Sequence, residues 1–179
     1  MILPPNIMLK LRAFKDLNSM DKEDLVEFLH VLRPFQAPAS EELLRYGIRE
    51  KYYFLLLKGE VTVSTQILNL DVVLHKIVEH QSFGHGALVK PSTNLKFVTT
   101  TPCELLVLPS YVHILALEQG KSWALQLQKS ICFQVIRQMR STLVQLSSLA
   151  AQEKENALSV DEKRLINLLK QTEISTGEQ

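Results

Sequence analysis

The chain has 179 residues, with 20 Lys and Arg against 19 Asp and Glu, a net charge of +1, and 46% hydrophobic against 22% charged residues. This balance describes a folded chain with one sizeable core, with or without an extension, and excludes a disordered polyelectrolyte. It leaves no electrostatic footprint for nucleic acid, whose binding depends on Lys and Arg meeting phosphates.

Cys103 and Cys132 lack metal-type spacing and sit in apolar runs, so they read as buried thiols. Two are too few for a four-thiolate zinc or iron–sulfur site. The first ten residues are apolar but broken by Pro4 and Pro5, without the basic start and unbroken apolar run of a secretion signal. No run approaches about 18 apolar residues, so no membrane span is expected and the cytoplasm is the default location.

In chain order, residues 6–16 and 20–32 carry helical periodicity, and Ser19 or Asp21 can cap the second segment. Pro34 and Pro38 end it. From about residue 41 the pattern turns strand-like. Tyr52–Leu57 is apolar and aromatic, Gly59 punctuates, and Val61–Thr65 alternates with a period of two. Val72–Val78, Leu95–Thr101 and Cys103–Leu108 are further strand candidates. Short strands at this spacing predict an antiparallel barrel or jelly roll and not βαβ units. A short helix follows from Pro109, with Ser110 placed to cap it.

From Lys121 to about Glu155 there is neither Gly nor Pro. Leu125, Cys132, Val135, Met139, Leu146 and Leu149 recur at three- and four-residue steps, with Thr142 in the same stripe. About 33 helical residues would span about 50 Å, longer than so small a roll can cover. Part of the stripe needs a second partner, and an identical helix in a two-fold homodimer is the economical choice. The alternative is a helix folded back on its own domain or broken near Gln145–Ser148. Ser159 and Glu162 then form a capping box for a short last helix before a loose polar tail. The expected organisation is N-terminal helices over 1–36, a β-roll over 37–120, the long helix over 121–157, and a short helix and tail over 158–179.

The most informative segment is Phe83-Gly84-His85-Gly86-Ala87-Leu88. A Gly-rich hexapeptide between strands lets backbone N–H groups turn inward together, a nest that can hold a phosphate or other anion.

Tyr52–Val63, Phe83–Leu88, Cys103–Leu108 and Leu158–Leu169, in that order, resemble the cyclic-nucleotide-binding domain, and more closely the sensor half of the CRP/FNR family of transcription regulators. The resemblance covers about residues 15–170. It implies an α+β fold: an antiparallel β-roll, or jelly roll, flanked by N-terminal helices and a long dimerisation helix. It also implies a phosphate-binding cassette reading roughly F-G-E-x-A-L and then P-R-A-A, in which the Glu accepts a ribose hydroxyl and the Arg neutralises the cyclic phosphate. Here His85 stands in the Glu position. Ser92, Thr93, Asn94 and Leu95 stand for P-R-A-A, with Thr93 at the Arg position. Lys90 and Lys96 are the cations available between 83 and 102, and a Lys lacks the bidentate Arg fork. Losing one charge-assisted contact costs about 1.5–3 kcal/mol, about ten- to a hundred-fold in affinity. The cassette therefore reads as degenerate. The family's winged helix-turn-helix has no room after Ser159, so no direct DNA binding by this chain is expected.

His85 has three readings: a neutral partner for a ligand hydroxyl or carboxylate, an axial haem ligand, or a surface residue on a decayed loop. Apart from that haem possibility no cofactor is expected, and no metal, because His75 and His80 do not share a strand face. Ser147 and Ser148 lie where the family's long helix lends polar groups to the bound base, and they also suit an exposed helical turn. Trp123 reads as a packing residue, and His30 and His113 as ordinary helix residues. No nucleophile–base constellation or Walker loop supports catalysis. The chain therefore reads as a non-enzymatic, dimeric CRP/FNR-like regulator or sensor fragment. The alternatives are a receptor for cyclic AMP or a cyclic di-nucleotide through a non-standard pocket, and a ligandless interaction scaffold.

Overall fold

The computed structural model describes residues 6–68, 70–89 and 94–157. Thr93 and the expected capping box at Ser159 lie outside them. One compact unit extends to Gln134 and a second begins at Val135.

The first unit opens with helix α1 (Ile7–Arg12), which is shorter than the periodicity over 6–16 predicts. The Arg12 guanidinium donates to the carbonyls of Asn18 and Met20, curling residues 13–20 into turns. Those turns still bury Phe14, Leu17 and Met20. Helix α2 (Lys22–Val31) follows Asp21, which holds the cap position without a side-chain hydrogen bond.

Eight strands follow: β1 (Arg33–Ala37), β2 (Glu42–Leu44), β3 (Tyr52–Lys58), β4 (Val61–Ile67), β5 (Leu70–Ile77), β6 (Ser82–Phe83), β7 (Leu95–Thr99) and β8 (Cys103–Pro109). They form two four-stranded antiparallel sheets, ordered β1-β8-β3-β6 and β2-β7-β4-β5. β1 corrects the expectation of helices up to residue 36. It lies at a sheet edge and pairs only with β8, a place where Pro34 can sit without breaking a central ladder.

Side chains alternate across a strand, and β3 and β8 bury both faces. Phe54, Leu56, Leu105 and Val107 face the inter-sheet core with Val61, Val63, Phe83 and Phe97. Tyr53, Leu55, Leu106 and Leu108, on the opposite faces, are equally buried. Tyr53 reaches Asp16 of the N-terminal turns from there. The outer strand β5 is different: it exposes Leu70, Val73 and Leu74.

Helix α3 (Ser110–Glu118) starts one residue earlier than a Ser110 cap would require. Pro109 is the cap residue, and Ser110 is the first helical residue. Helix α4 runs Ser122–Ala157, a single element of 36 residues. Its first turns belong to the first unit and bury Trp123, Ala124, Leu127 and Ile131. The Trp123 ring lies 5.3 Å from that of Phe28. Ser122 and Gln126 donate to Asp24 at 2.8 and 2.7 Å, and Lys121 pairs with Glu27 at 2.5 Å, fastening α4 to α2. No helix among the described residues is long and apolar enough to cross a membrane.

Candidate functional site

The Gly-rich hexapeptide folds as β6 leading into a 3₁₀ turn, His85–Ala87. Phe83 anchors it: its ring stacks on Phe54 at 4.8 Å and tilts against Phe97 at 5.2 Å, inside the inter-sheet core. Ala87 and Leu88 are also buried, so the apolar residues of the segment frame the turn. Gly84 has φ +76, and a Cβ there would stand 2.4 Å from the Tyr52 carbonyl oxygen. Only glycine fits both that backbone conformation and that approach.

His85 is half-buried. Its side chain is 20% exposed and lies 3.6 Å from Asp16 Oδ2. Its ring meets the Tyr53 ring edge-on at 5.6 Å. Asp16 Oδ2 also accepts from the Tyr53 hydroxyl at 2.7 Å and from the Ser82 hydroxyl. Because Ser82 spends its one proton on Asp16, it can only accept from His85 Nε2, 3.3 Å away, which puts a proton on that nitrogen. Burial pushes the Asp16 carboxyl up, but the bonds from His85, Ser82 and Tyr53 outweigh it and hold Asp16 below the usual carboxylate value. Burial, with the Asp16 charge beside it, drives the Tyr53 phenol well above its ordinary value. Ser82, His85 and Asp16 are the residue types of a nucleophile relay, but here the serine proton goes to the aspartate and none is left for the histidine.

Glu50, just ahead of β3, was not singled out by the sequence, because Arg49-Glu50-Lys51 looks like a solvated charge run. It is 5% exposed and packs its carboxylate against the backbone at Gly86. Burial raises its pKa above the usual value, opposed by the amides of Ala87 and Gly86 and by the neighbouring His85.

The other expected site residues are dispersed. Asn94 is exposed, and its carbonyl accepts from Thr65 at 2.8 Å. Lys96 does not serve the turn: its ammonium lies 3.7 Å from Glu42 and 3.5 Å from Asp71, and over the Tyr46 ring. Ser147 and Ser148 are exposed on α4, and their hydroxyls donate back to the carbonyls of Leu143 and Gln145. In the expected stripe Cys132 and Val135 are half-buried, and Met139, Thr142, Leu146 and Leu149 are exposed. Ile136 and Leu143, also exposed, complete a Cys132–Ile136–Met139–Leu143–Leu146 run at alternating steps of four and three. Cys103 is a buried thiol whose pKa burial raises, whereas Cys132 is only half-buried.

No protein-family model and no curated protein matches the sequence. Solved structures do match the chain path. The catabolite activator protein of Thermus thermophilus aligns with a TM-score of 0.67 at 15% identity, covering 76% of this chain and 63% of that one. The regulatory domain of Toxoplasma gondii PKA, solved with cAMP, aligns with a TM-score of 0.54 at 24% identity, over 57% of this chain and 40% of that one. A triple mutant of the regulatory subunit of a cAMP-independent protein kinase A from Trypanosoma brucei, bound to cAMP in the A site, aligns with a TM-score of 0.56 at 13% identity, over 70% and 50%. The fold is that of the cyclic-nucleotide-binding domain. This chain spans less than two thirds of the length of each of those three proteins. At such identities the likeness is one of chain path, and the chemistry of a cyclic-nucleotide-binding-type roll has to be read from the residues that each chain carries.

Proposed function

We propose that the chain is a non-enzymatic regulatory module, a cyclic-nucleotide-binding-type roll whose cassette does not bind cyclic nucleotide in the usual mode. The observation that carries this is the engagement of His85. The residue standing where the resemblance implies a ligand-binding carboxylate is instead tied to Asp16, Ser82 and Tyr53 of its own fold. With Lys96 paired to Glu42 and Asp71, that cation is also spent elsewhere. The regulatory subunit of a Trypanosoma brucei protein kinase A described as cAMP-independent shares this fold, which supports a reading of regulation without cAMP.

The output is assigned to α4. Its Cys132–Leu146 run carries coiled-coil spacing on an exposed apolar face, which suits a two-fold homodimer. Regulation then acts by biasing that dimer between two arrangements, through a ligand or a partner that favours one of them.

Thermal unfolding with cyclic AMP, cyclic GMP and cyclic di-nucleotides tests the cassette, and light scattering tests the dimer. No stabilisation by any nucleotide and a dimer at micromolar concentration are expected. A rise of several degrees with cyclic AMP would overturn the first part, and a monomer the second.

A further inference from the structure

A turn whose amides face one side is a cradle for negative charge, and a carboxylate buried away from water needs such donors. In this chain the two needs meet. Glu50 enters from the connection between β2 and β3 and is 5% exposed. A Cβ built on Gly86 would stand 2.6 Å from Glu50 Oε2 and 2.8 Å from both Oε1 and Cδ. The carboxylate therefore lies flat against the turn, in space that only a glycine leaves open. Burial raises its pKa, and the nearby Ala87 and Gly86 amides and His85 oppose that rise, although the Ala87 N–H itself donates to the Gly84 carbonyl at 3.1 Å.

We propose that Glu50 is the cassette's resident anion and its specificity-determining residue. The chain's own carboxylate fills the space beside the turn at Gly86, so that phosphate-bearing ligands are turned away by like charge and by occupied space. This explains why glycine stands at 86, and it rests on the reading of the cassette given above. It goes further by assigning the exclusion of anions to a residue outside the cassette.

Two single variants of the full chain test it, Glu50→Gln, which removes the charge, and Gly86→Ala, which pushes the side chain away while keeping it. Inorganic phosphate and cyclic AMP are titrated separately into isotope-labelled wild type and variants, and the backbone amides of residues 84–88 are followed by NMR. Saturable phosphate-induced shifts of the Ala87 amide, at about tenfold higher affinity than in wild type, are expected in both variants. A gain of less than about threefold in both, or no shift at Ala87 in any of the three proteins, overturns the proposal. If one variant loses its dispersed spectrum, the other decides alone. Micromolar binding of cyclic AMP to wild type would instead remove the reading of a cassette without nucleotide. The variant-to-wild-type ratio would still report on Glu50.

Discussion

The Tyr53 hydroxyl donates to Asp16 at 2.7 Å, joining residues 37 apart in sequence. Tyr53 points away from the inter-sheet core, and Asp16 lies in the turns between α1 and α2, so the bond pins the N-terminal segment to the back of β3. Tyr53→Phe keeps the packing and deletes one donor to a buried carboxylate. A loss of about 1–2 kcal/mol in urea unfolding is expected, and Asp16→Ala, which strips Tyr53, Ser82 and His85 of their shared acceptor, should cost more.

His113 sets a pH dependence. It is fully buried, its Nε2 lies 3.3 Å from the Ala124 carbonyl, and burial, only partly offset by that carbonyl, lowers its pKa below the ordinary 6.5. Below 6.5 the unfolded chain takes up a proton that the folded chain still refuses. Stability therefore falls as the pH drops from there and levels off once the folded value is passed. His113→Gln should flatten this part of the profile, measured as urea midpoints between about pH 7.5 and about pH 5.5.

Glu50 works with the opposite sign. Its folded pKa is raised, so its contribution is full below the ordinary 4.5 and is lost as the pH rises through the folded value. Asp16, held low, contributes above 3.8 and loses that only in stronger acid. The midpoint of Glu50→Gln should therefore gain on wild type as the pH is raised from about 4.5 to about 7.

Two glycines with nearly the same backbone should respond differently to alanine. Gly47 has φ +75 and nothing within 4 Å of a new Cβ, whereas Gly84 has φ +76 and the Tyr52 carbonyl at 2.4 Å. Gly47→Ala should cost about 1 kcal/mol, from the left-handed conformation alone. Gly84→Ala adds a backbone collision and should cost at least about 2 kcal/mol by the same unfolding measurement.

The exposed stripe of α4 separates assembly from folding. Leu143→Glu should leave the thermal midpoint of the roll unchanged and convert a dimer to a monomer by light scattering. Trp123→Ala, in the buried first turn, should cost about 3–5 kcal/mol.

The strands that lie in the middle of their sheets were readable because their chemistry is repetitive. β3, β4 and β8 are dense in apolar and β-branched residues bounded by Gly59 and Pro109. β1 was hidden by Pro34, a residue that reads as a breaker and that an edge strand tolerates. β2 has three residues and no pattern to read. The frame of the cassette was visible in Phe83, Gly84, Ala87 and Leu88, but its electrostatics were not. Asp16 and Glu50 sit in local sequences, Lys-Asp and Arg-Glu-Lys, that match any solvated surface. Only the tertiary approach of Tyr53 and of the Gly86 backbone shows that both are buried. His113 was hidden in the same way, by the packing of α4 over α3.

Excising a working module from this protein would have to respect polar fastenings as well as the roll. Asp16 holds the cassette side through Ser82 and His85, and eight to eleven residues later Asp24 and Glu27 grip the first turn of α4. Leu11 and Ile131, each fully buried, mark how far the compact part reaches along the chain. A domain boundary drawn at the first strand, or just after α3, would cut through these joints. The shortest piece that keeps its own seams closed begins ahead of Leu11 and ends beyond Ile131.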